Sequence, residues 1–562
     1  MAHSRSDIGW RKTTSVGIMT PKRLIKLWER EKGSSERSNF DTLVQTAADW
    51  CKPESNNIER LQAKGQKKDS RRLTDVGIKS RRMFTAGMMS NMFPQGQYWL
   101  TARVADKELM FNDAVNKAMQ SVTKTFMSAI EESNFYEEVS QSVDDTGWAG
   151  TTSCYVEDDK KTKLNFRNHK YKEFYFCNNH RGKMDTYIRD FKLDARQACQ
   201  EFGDDAPQRC LDSHEAGKDG DFHFIHVIMP RSDVDYASSD KAKKPWASYY
   251  VCTEDQEWMK ESGFDYMPYS VWGMYRGSNN EKYYWSNAME VAQTLSMINR
   301  METTRMRSAE RVSNPPWLAP NDGATRRISN DEGAIIYWNA ANPLSKPEQL
   351  NPSDNPMVND EMIMKKEQEI QDAFFVPLFN PLHNKQNMSA TESVERLNLS
   401  MQFITPAVNN MVKYGIKPLL ETSFEIMRAN GHFPELDIPE LSEASIEFEL
   451  TGKAALAARQ IELFGTMTAL EQTGMMAQVK PEVMDIWNAD EFGAFVQEVN
   501  AVPVKLQATE DEIKAIREQR AQQMQQQQQM QAAQVASDAY VKTQKAPEEG
   551  SGAEELMGQF GG

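Results

Sequence analysis

The sequence has no long apolar run and few cysteines. No stretch of about 18 consecutive apolar residues occurs, so no membrane-spanning helix is predicted. Residues 1–20 are polar and lack an apolar core, which excludes the pattern of a secretory signal. The six cysteines form no CxxC pair. Scattered cysteines without metal-ligand spacing predict reduced, buried thiols in a cytosolic setting.

Motifs for catalysis and cofactor binding are also missing. The sequence contains no GxxxxGK[ST] phosphate loop, no GxGxxG after a strand, no HExxH and no nucleophile elbow. The one close histidine pair, His223 and His226, falls on a predicted strand, where residues three apart point to opposite faces and cannot easily share a metal. Adjacent acids such as Asp144-Asp145 and Asp204-Asp205 fall in predicted turns and are interpreted as solvated. We therefore predict no enzyme activity, no cofactor and no metal site.

The charge balance is acidic, with a net charge of −15. A protein that grips specific DNA sequences usually has a basic face, so this balance argues against that class. It does not exclude a protein that lets DNA slide past without gripping it.

The first half of the chain predicts helices followed by a β-rich module. Apolar residues at helical spacing predict five helices, over 21–32, 39–51, 73–90, 110–133 and 134–147. From Gly147 the period changes to short β-branched or aromatic segments bounded by turn residues. Strands are predicted at 152–157, 163–167, 173–177, 184–191, 222–230 and 247–252, with a hairpin turn at 179–183 and a small helix at 194–203. The fold class is α+β, mainly helical.

The stretch 286–400 organises the rest of the chain. A helix over 286–312 leads into a proline-rich insert, and a second helix covers 358–375. An apolar Pro loop follows at 376–387, and then one long helical region over 388–430, bent or broken near Pro406 and Pro418. Beyond it we predict a strand at 445–450, helices at 453–476 and 481–500, a Gln-rich helical segment at 509–542 and a disordered end.

Basic residues in this stretch allow two interpretations. The first helix carries Arg300, Arg305, Arg307 and Arg311, and the second carries Lys365 and Lys366. With Glu302 and Glu310 nearby, these cations either form ion pairs between helices or contact passing phosphates. Lys385, in the Pro loop, is the better candidate for contact with DNA, because a loop tip has few partners of its own.

The order of these features resembles the portal proteins, or head-to-tail connectors, of short-tailed, podovirus-type bacteriophages. The resemblance covers roughly residues 20–505 and rests on order and spacing rather than on one motif. The chain departs from the family's Tyr-Gly-x-Ser-Pro at Tyr284–Ala288. The segments that carry the resemblance are Phe40–Pro53, Asp75–Trp99, Gly263-Phe264 with Pro268-Tyr269 and Trp272, Ser286–Pro316, and Met388–Arg396.

The resemblance implies a portal fold with wing, stem, clip and crown regions, in a ring of twelve subunits around a channel for double-stranded DNA. By position, 1–285 is the wing, 286–312 and 357–375 are the stem helices, 313–356 is the clip, 376–388 is the tunnel loop, 389–452 is the wing's return helix and strand, 453–505 is the crown, and 506–562 is the tail.

The resemblance also implies sites and partners. The tunnel loop would bring Phe379, Leu382, His383 and Lys385 near DNA, and the stem would present Arg300, Arg305, Lys365 and Lys366 to the channel. The clip run Ile335, Ile336, Tyr337 and Trp338 would add to a neighbour's strand or form an ordinary hairpin. Implied partners are the terminase large subunit, tail adaptors, and the major capsid and scaffolding proteins, at the unique capsid vertex of a virion assembled in the host cytoplasm.

Two other function classes stay open on the sequence alone. One is a metal-dependent nucleic-acid enzyme with unrecognised carboxylates. The other is a non-catalytic helical scaffold or adaptor.

Overall fold

The computed structural model describes the residues that form the body of the fold. These are 19–59, 72–105, 113–218, 220–231, 234, 240–277, 281–313, 317–318, 348–349, 356–379, 404–436, 446–450 and 453–477, with short segments between 480 and 526. The chain divides into two units, one of residues 1–106 and 118–465, the other of 107–117 and 466–562.

Five helices open the chain, as predicted. They are α1 (Pro21–Lys32), α2 (Ser35–Cys51), α3 (Val76–Met92), α4 (Asp113–Glu132) and α5 (Phe135–Trp148). Helix α2 begins four residues before the predicted start because the Ser34 side chain caps it, accepting a hydrogen bond from the backbone N–H of Arg37 at 3.3 Å. It ends at Cys51, just before Pro53, as expected of a residue that cannot continue a helix.

A five-stranded antiparallel sheet follows in simple chain order. Its strands are β4 (Phe174–Asn178), β5 (Met184–Asp194), β6 (Asp221–Pro230), β7 (Trp246–Cys252) and β8 (Glu257–Phe264). The predicted hairpin turn at 179–183 joins the first two of these strands. A second sheet pairs β2 (Thr152–Asp159) with β3 (Lys163–His169) on one side and β9 (Tyr269–Trp272) on the other. Strands β8 and β9 were not predicted.

Alternating side chains on β6 serve two separate cores. Phe222 and Phe224 pack with helices α6 (Ala195–Phe202) and α7 (Gln208–Glu215), in a cluster that includes Phe202 and Cys210. Ile225 and Val227, whose side chains point to the opposite face of the strand, pack with Leu24 of α1. Because both faces of the strand are covered, its sequence is almost continuously apolar.

The two histidines of β6 have separate partners, as predicted for strand residues of opposite orientation. His223 hydrogen-bonds to Asp190 and, at 2.6 Å, to Thr253. His226 is fully buried, bonded to Tyr269 Oη at 3.1 Å and Ser248 Oγ at 2.9 Å, and its ring stacks on Tyr250 at 3.9 Å. Burial lowers the pKa of His226 well below its ordinary value, and burial together with Arg189 does the same for His169.

A distant strand closes the first unit. Strand β1 (Leu100–Val104) pairs antiparallel with β14 (Ile446–Leu450), so Ala102 lies opposite Phe448. The Phe448 ring meets Phe126 of α4 at 5.2 Å and Phe424 of α11 (Lys417–Ala429) at 5.1 Å. These contacts hold the return helix against the N-terminal helices. Helix α12 (Lys453–Ala477) follows β14, as predicted.

The helical region that the structure describes from residue 404 is not broken at Pro406 or Pro418, so of the two predicted alternatives, a bend or a break, the break is excluded. Residues 404–411 are α-helical, Val412–Ile416 form a π-helical stretch, and α11 continues from Lys417. The wider π turn precedes Pro418, which has no backbone N–H to donate. It also sets Gly415 against the buried Trp272, where an added Cβ would lie only 2.3 Å from the indole.

We predict that acid destabilises this fold through its neutral buried histidines. Because folding lowers the pKa of His226, the unfolded chain takes up a proton first, and stability is lost as the pH falls below about 6.5, by up to about 1.4 kcal/mol per pH unit. Urea unfolding of the H226Q variant between pH 5 and 8 should show a lower free energy of unfolding at pH 8 but a weaker pH dependence.

The matched control is H214Q, since His214 is exposed on α7. An H226Q variant with the full wild-type pH dependence would contradict the role assigned to His226.

Candidate functional site: a protruding helix pair

The longest helix before the proline-rich insert is buried at its base and uncovered at its tip. Helix α8 (Asn287–Ser313) buries seven residues, the last of which is Ile298. More than half of the helix lies beyond that point, and none of it is buried. At 1.5 Å per residue the uncovered part extends about 20 Å. The helix therefore projects from the body.

Hydrogen bonds fix the base of α8. The Ser286 hydroxyl accepts from the backbone N–H of Met289 at 3.1 Å and donates to the carbonyl of Trp148 at 2.9 Å, so it caps the helix and ties it to α5. Two residues before Ser286, the backbone N–H of Tyr284 donates to Thr151 Oγ1 at 2.9 Å. The Tyr284 carbonyl lies against Gly150, where any Cβ would come within 2.1 Å. This contact and the positive φ of Gly150 both require glycine.

A second helix runs antiparallel to α8. Helix α9 (Pro356–Ala373) meets it at both ends: Asn287 Nδ2 donates to the carbonyl of Ala373 at 2.5 Å, and Arg305 lies 3.4 Å from the Asp360 carboxylate. Among the described side chains of α9, those from residue 360 onward, Ile363 and Ile370 are buried, and Phe374 is buried just beyond the end of the helix. The three are spaced to form one narrow seam. We call α8 and α9 the helix pair.

The outer surface of the helix pair carries several exposed apolar side chains. Met364 and Val312 are both 61% exposed. Such a group on a protruding element is typical of a surface that another protein covers. Its members in the described part of the chain are Met297, Met306, Val312, Met362 and Met364.

The chain turns sharply after α9 and docks on α3. Phe375 has a positive φ of 57°, an uncommon conformation for an aromatic residue, and it leads into the short helix α10 (Val376–Phe379). The Phe379 ring then sits on Gly87 of α3, and a Cβ at Gly87 would lie 2.1 Å from it. The prediction of an open loop from residue 376 was therefore wrong for its first four residues. Pro377 is compatible with a first helical turn, where no backbone donor is needed.

The predicted stem cations differ in their partners. Arg305 pairs with Glu302 and with Asp360, each at 3.4 Å, and Lys366 pairs with Glu369 at 2.7 Å. Arg300 and Lys365 are exposed and have no ion pair within the described residues. The prediction of ion pairs between helices therefore holds for Arg305 with Asp360, whereas Lys366 pairs with a carboxylate of its own helix. Arg300 and Lys365 are available for another contact.

The remaining predicted site residues lie outside the described part of the chain. These are Leu382, His383 and Lys385 of the tunnel loop and Ile335, Ile336, Tyr337 and Trp338 of the clip. Within the insert, the structure describes two short strands, β12 (Trp317–Leu318) and β13 (Glu348–Gln349), which pair antiparallel. This pairing brings the two ends of the insert together above the helix pair.

Two other kinds of site are absent from the part of the chain that the structure describes. Among these residues, no group of three or more His, Cys, Asp or Glu side chains is placed to hold a metal ion. No described helix is both long and apolar enough to cross a bilayer.

Sequence comparison places the chain in a family of bacteriophage proteins that connect head and tail. The family described as "Bacteriophage head to tail connecting protein" matches residues 22–507. Since the match covers most of the chain, the protein belongs to this family.

Two curated relatives extend the similarity over nearly the full length. The portal protein of Salmonella phage epsilon15 is 26% identical over 521 residues, which span 89% of this chain and 90% of that protein. The probable portal protein of Bordetella phage BPP-1 is 24% identical over 511 residues, covering 89% and 91% respectively. The resemblance to podovirus portal proteins is thereby confirmed.

We predict that Gly87 is required to seat Phe379. In the G87A variant the new methyl group would displace the ring, and overpacking of this kind costs about 1–3 kcal/mol. Thermal and urea unfolding of the purified chain should show that loss. The G87A/F379A double variant should lose no more free energy of unfolding than F379A alone, because without the Phe379 ring the new methyl group meets no clash.

The control is G465A, since Gly465 lies on helix α12 with open space around its Cβ position. It should be neutral or stabilising by up to about 1 kcal/mol. Equal stability of G87A and G465A would contradict this seating of Phe379.

Proposed function

We propose that this protein is a portal protein, which forms a ring at one capsid vertex and conducts double-stranded DNA during packaging and ejection. The observation that carries the proposal is the helix pair, in a chain that belongs to the head-to-tail connecting family. It projects from a well-packed body and leaves apolar side chains uncovered. A closed ring of identical subunits would cover both flanks of such a projection.

The regions of the chain follow from this proposal. The helices and sheets up to residue 285 form the wing, the helix pair forms the stem, and 313–356 forms the clip. Residues 376–388 form the tunnel loop, 389–452 return through the wing, and 453–505 form the crown. The pairing of β12 with β13 supports a clip that closes on itself at the stem tip.

The proposed role is structural. The ring would be dodecameric, and the clip, through Ile335–Trp338, would meet the terminase large subunit and later the tail adaptors. The major capsid and scaffolding proteins would surround the wing. The ring would lie at the unique capsid vertex of the virion, which would be assembled in the host cytoplasm.

Conduction requires weak and exchangeable contacts with DNA. A chain of net charge −15 meets this requirement, because each phosphate that a cation neutralises adds to the cost of release. Lys385, Leu382 and His383 of the tunnel loop and Arg300 and Lys365 of the stem are the proposed contacts. Phe379 would anchor the start of the tunnel loop on α3. Arg305 and Lys366 would brace the stem through their ion pairs.

The purified full-length chain should assemble into rings with a central opening. Negative-stain electron microscopy and sedimentation both report this assembly. A population of monomers and dimers at all concentrations, with no rings, would count against the proposed function.

We predict that residues 319–347 of the insert are needed for docking of partner proteins but not for folding of the subunit. Because Leu318 and Glu348 are paired across β12 and β13, residues 319–347 can be replaced by an Asn-Gly turn that closes the hairpin. Rings should still form, while pull-down of the terminase large subunit or tail adaptors should be lost. The matched control replaces 319–347 with a flexible linker of equal length. Retained docking in the shortened variant would contradict the clip assignment.

A further inference from the structure

The arginines of α8 that form no ion pair with a described residue fall on one line. Arg300, Arg307 and Arg311 are spaced i, i+7 and i+11 along α8, so they share one face of the helix. All three are exposed, and none has an ion pair within the described residues. We call these three residues the arginine row. At helical rise it is about 16 Å long.

The arginine row lies on the flank of α8 that faces away from α9. Arg305, five residues after Arg300, points to the α9 side and reaches Asp360. Five residues correspond to about 140° of rotation, so the row and the α9 contact occupy different sides of α8. Of the carboxylates on this part of α8, Glu302 is bonded to Arg305. Glu310 follows Arg307 by three residues but forms no ion pair with it.

A neighbouring copy offers the arginine row too few carboxylates. The antiparallel arrangement puts Asp372 and Glu369 near the base of α8, because Ala373 lies beside Asn287. Glu369 is also neutralised by Lys366, and Asp372 accepts from Gln368 at 2.8 Å. Nearer the tip, Glu361 and Glu367 are the carboxylates of the described part of α9 without an ion pair there, and Lys365 lies between them in the sequence. Two carboxylates on an adjacent α9 cannot pair all three arginines one to one.

Duplex DNA satisfies the same three cations at any position along its length. It carries one phosphate charge per about 1.7 Å of axis, so a fixed row of arginines always finds phosphates as the duplex advances. Guanidinium groups bind phosphate oxygens through paired donors and stay charged throughout the physiological range. Three separated contacts give a weak, salt-sensitive hold and no reading of base sequence.

We propose that Arg300, Arg307 and Arg311 form a phosphate-contacting track for duplex DNA along the stem. The track deepens the proposed function and rests on it. Arg305 and Lys366, which lie on the same two helices, are excluded from it by their ion pairs.

The test is the salt dependence of binding to a short mixed-sequence DNA duplex, followed by fluorescence anisotropy. The R300Q/R307Q/R311Q variant should lower the slope of log Kobs against log salt by about 1 to 3, one for each lost phosphate contact, and weaken binding at low salt at least tenfold. The triple Arg→Lys variant keeps the charges and should retain most of the slope.

The matched control, R305Q/K366Q, removes two cations from the same helices and should keep the wild-type slope. The single variant R311Q lies at the exposed tip and guards against misfolding of the triple variant; it should lower the slope by about 1. An unchanged slope in R311Q and in a folded triple variant would overturn the proposal. Lost ring assembly with an unchanged slope would also overturn it, and would make the row a contact between copies.

The same titration separates this proposal from the proposed function. If the wild-type chain binds DNA through the row but never forms rings, the portal assignment fails and the row stands. If rings form and the slope is insensitive to the row, the portal assignment stands and the row fails.

Discussion

The structure depends on how the base of α8 is held. One end of the helix is buried and capped by Ser286, while no residue after Ile298 is buried at the other end. Its own partner, α9, is attached by a narrow seam and by contacts at each end. Such a projection has a rigid origin and a free surface, which suits an element that packs side by side around an axis. Two glycines allow close approaches near these helices: the Tyr284 carbonyl lies against Gly150, and the Phe379 ring lies against Gly87.

The docking of α10 gives a fixed starting point to the segment that we propose as the tunnel loop. Phe375 reverses the chain in a conformation that is costly for an aromatic residue, and Phe379 then fills the space above Gly87. The contacts of Phe374 and Phe379 with α3 offset that cost, since both rings meet this helix in succession. A loop that contacts a moving duplex gains from such an anchor, because its reach is then set by its own length.

Electrostatics divides the helix pair into two kinds of cation. Arg305 and Lys366 are satisfied by carboxylates of the same subunit and add rigidity, although exposed pairs of this kind each contribute little to stability. Arg300, Arg307 and Arg311 have no such partner. In a chain of net charge −15 these three arginines form a local basic surface. Three positive charges on the helix are few, as the proposed conduit requires.

The sequence predicts the elements whose signals are local and misses those that depend on distant partners. Apolar spacing correctly places α1, α8 and α9, and β-branched runs place most of the five-stranded sheet. Strand β1 was missed because its partner β14 lies hundreds of residues away. Pro377 and Pro418 suggested loops or breaks, yet each is tolerated near the start of a helical segment. The stem cations could be named from sequence, but their pairing depends on the register between α8 and α9, which only the fold supplies.

The most direct test is a cryo-electron microscopy reconstruction of the assembled full-length chain, calculated without imposed symmetry. The portal assignment predicts a closed ring in which the helix pairs surround the axial opening, with the arginine row turned toward the axis. A ring with the helix pairs on its outer rim, or a compact assembly with no axial opening, would contradict it.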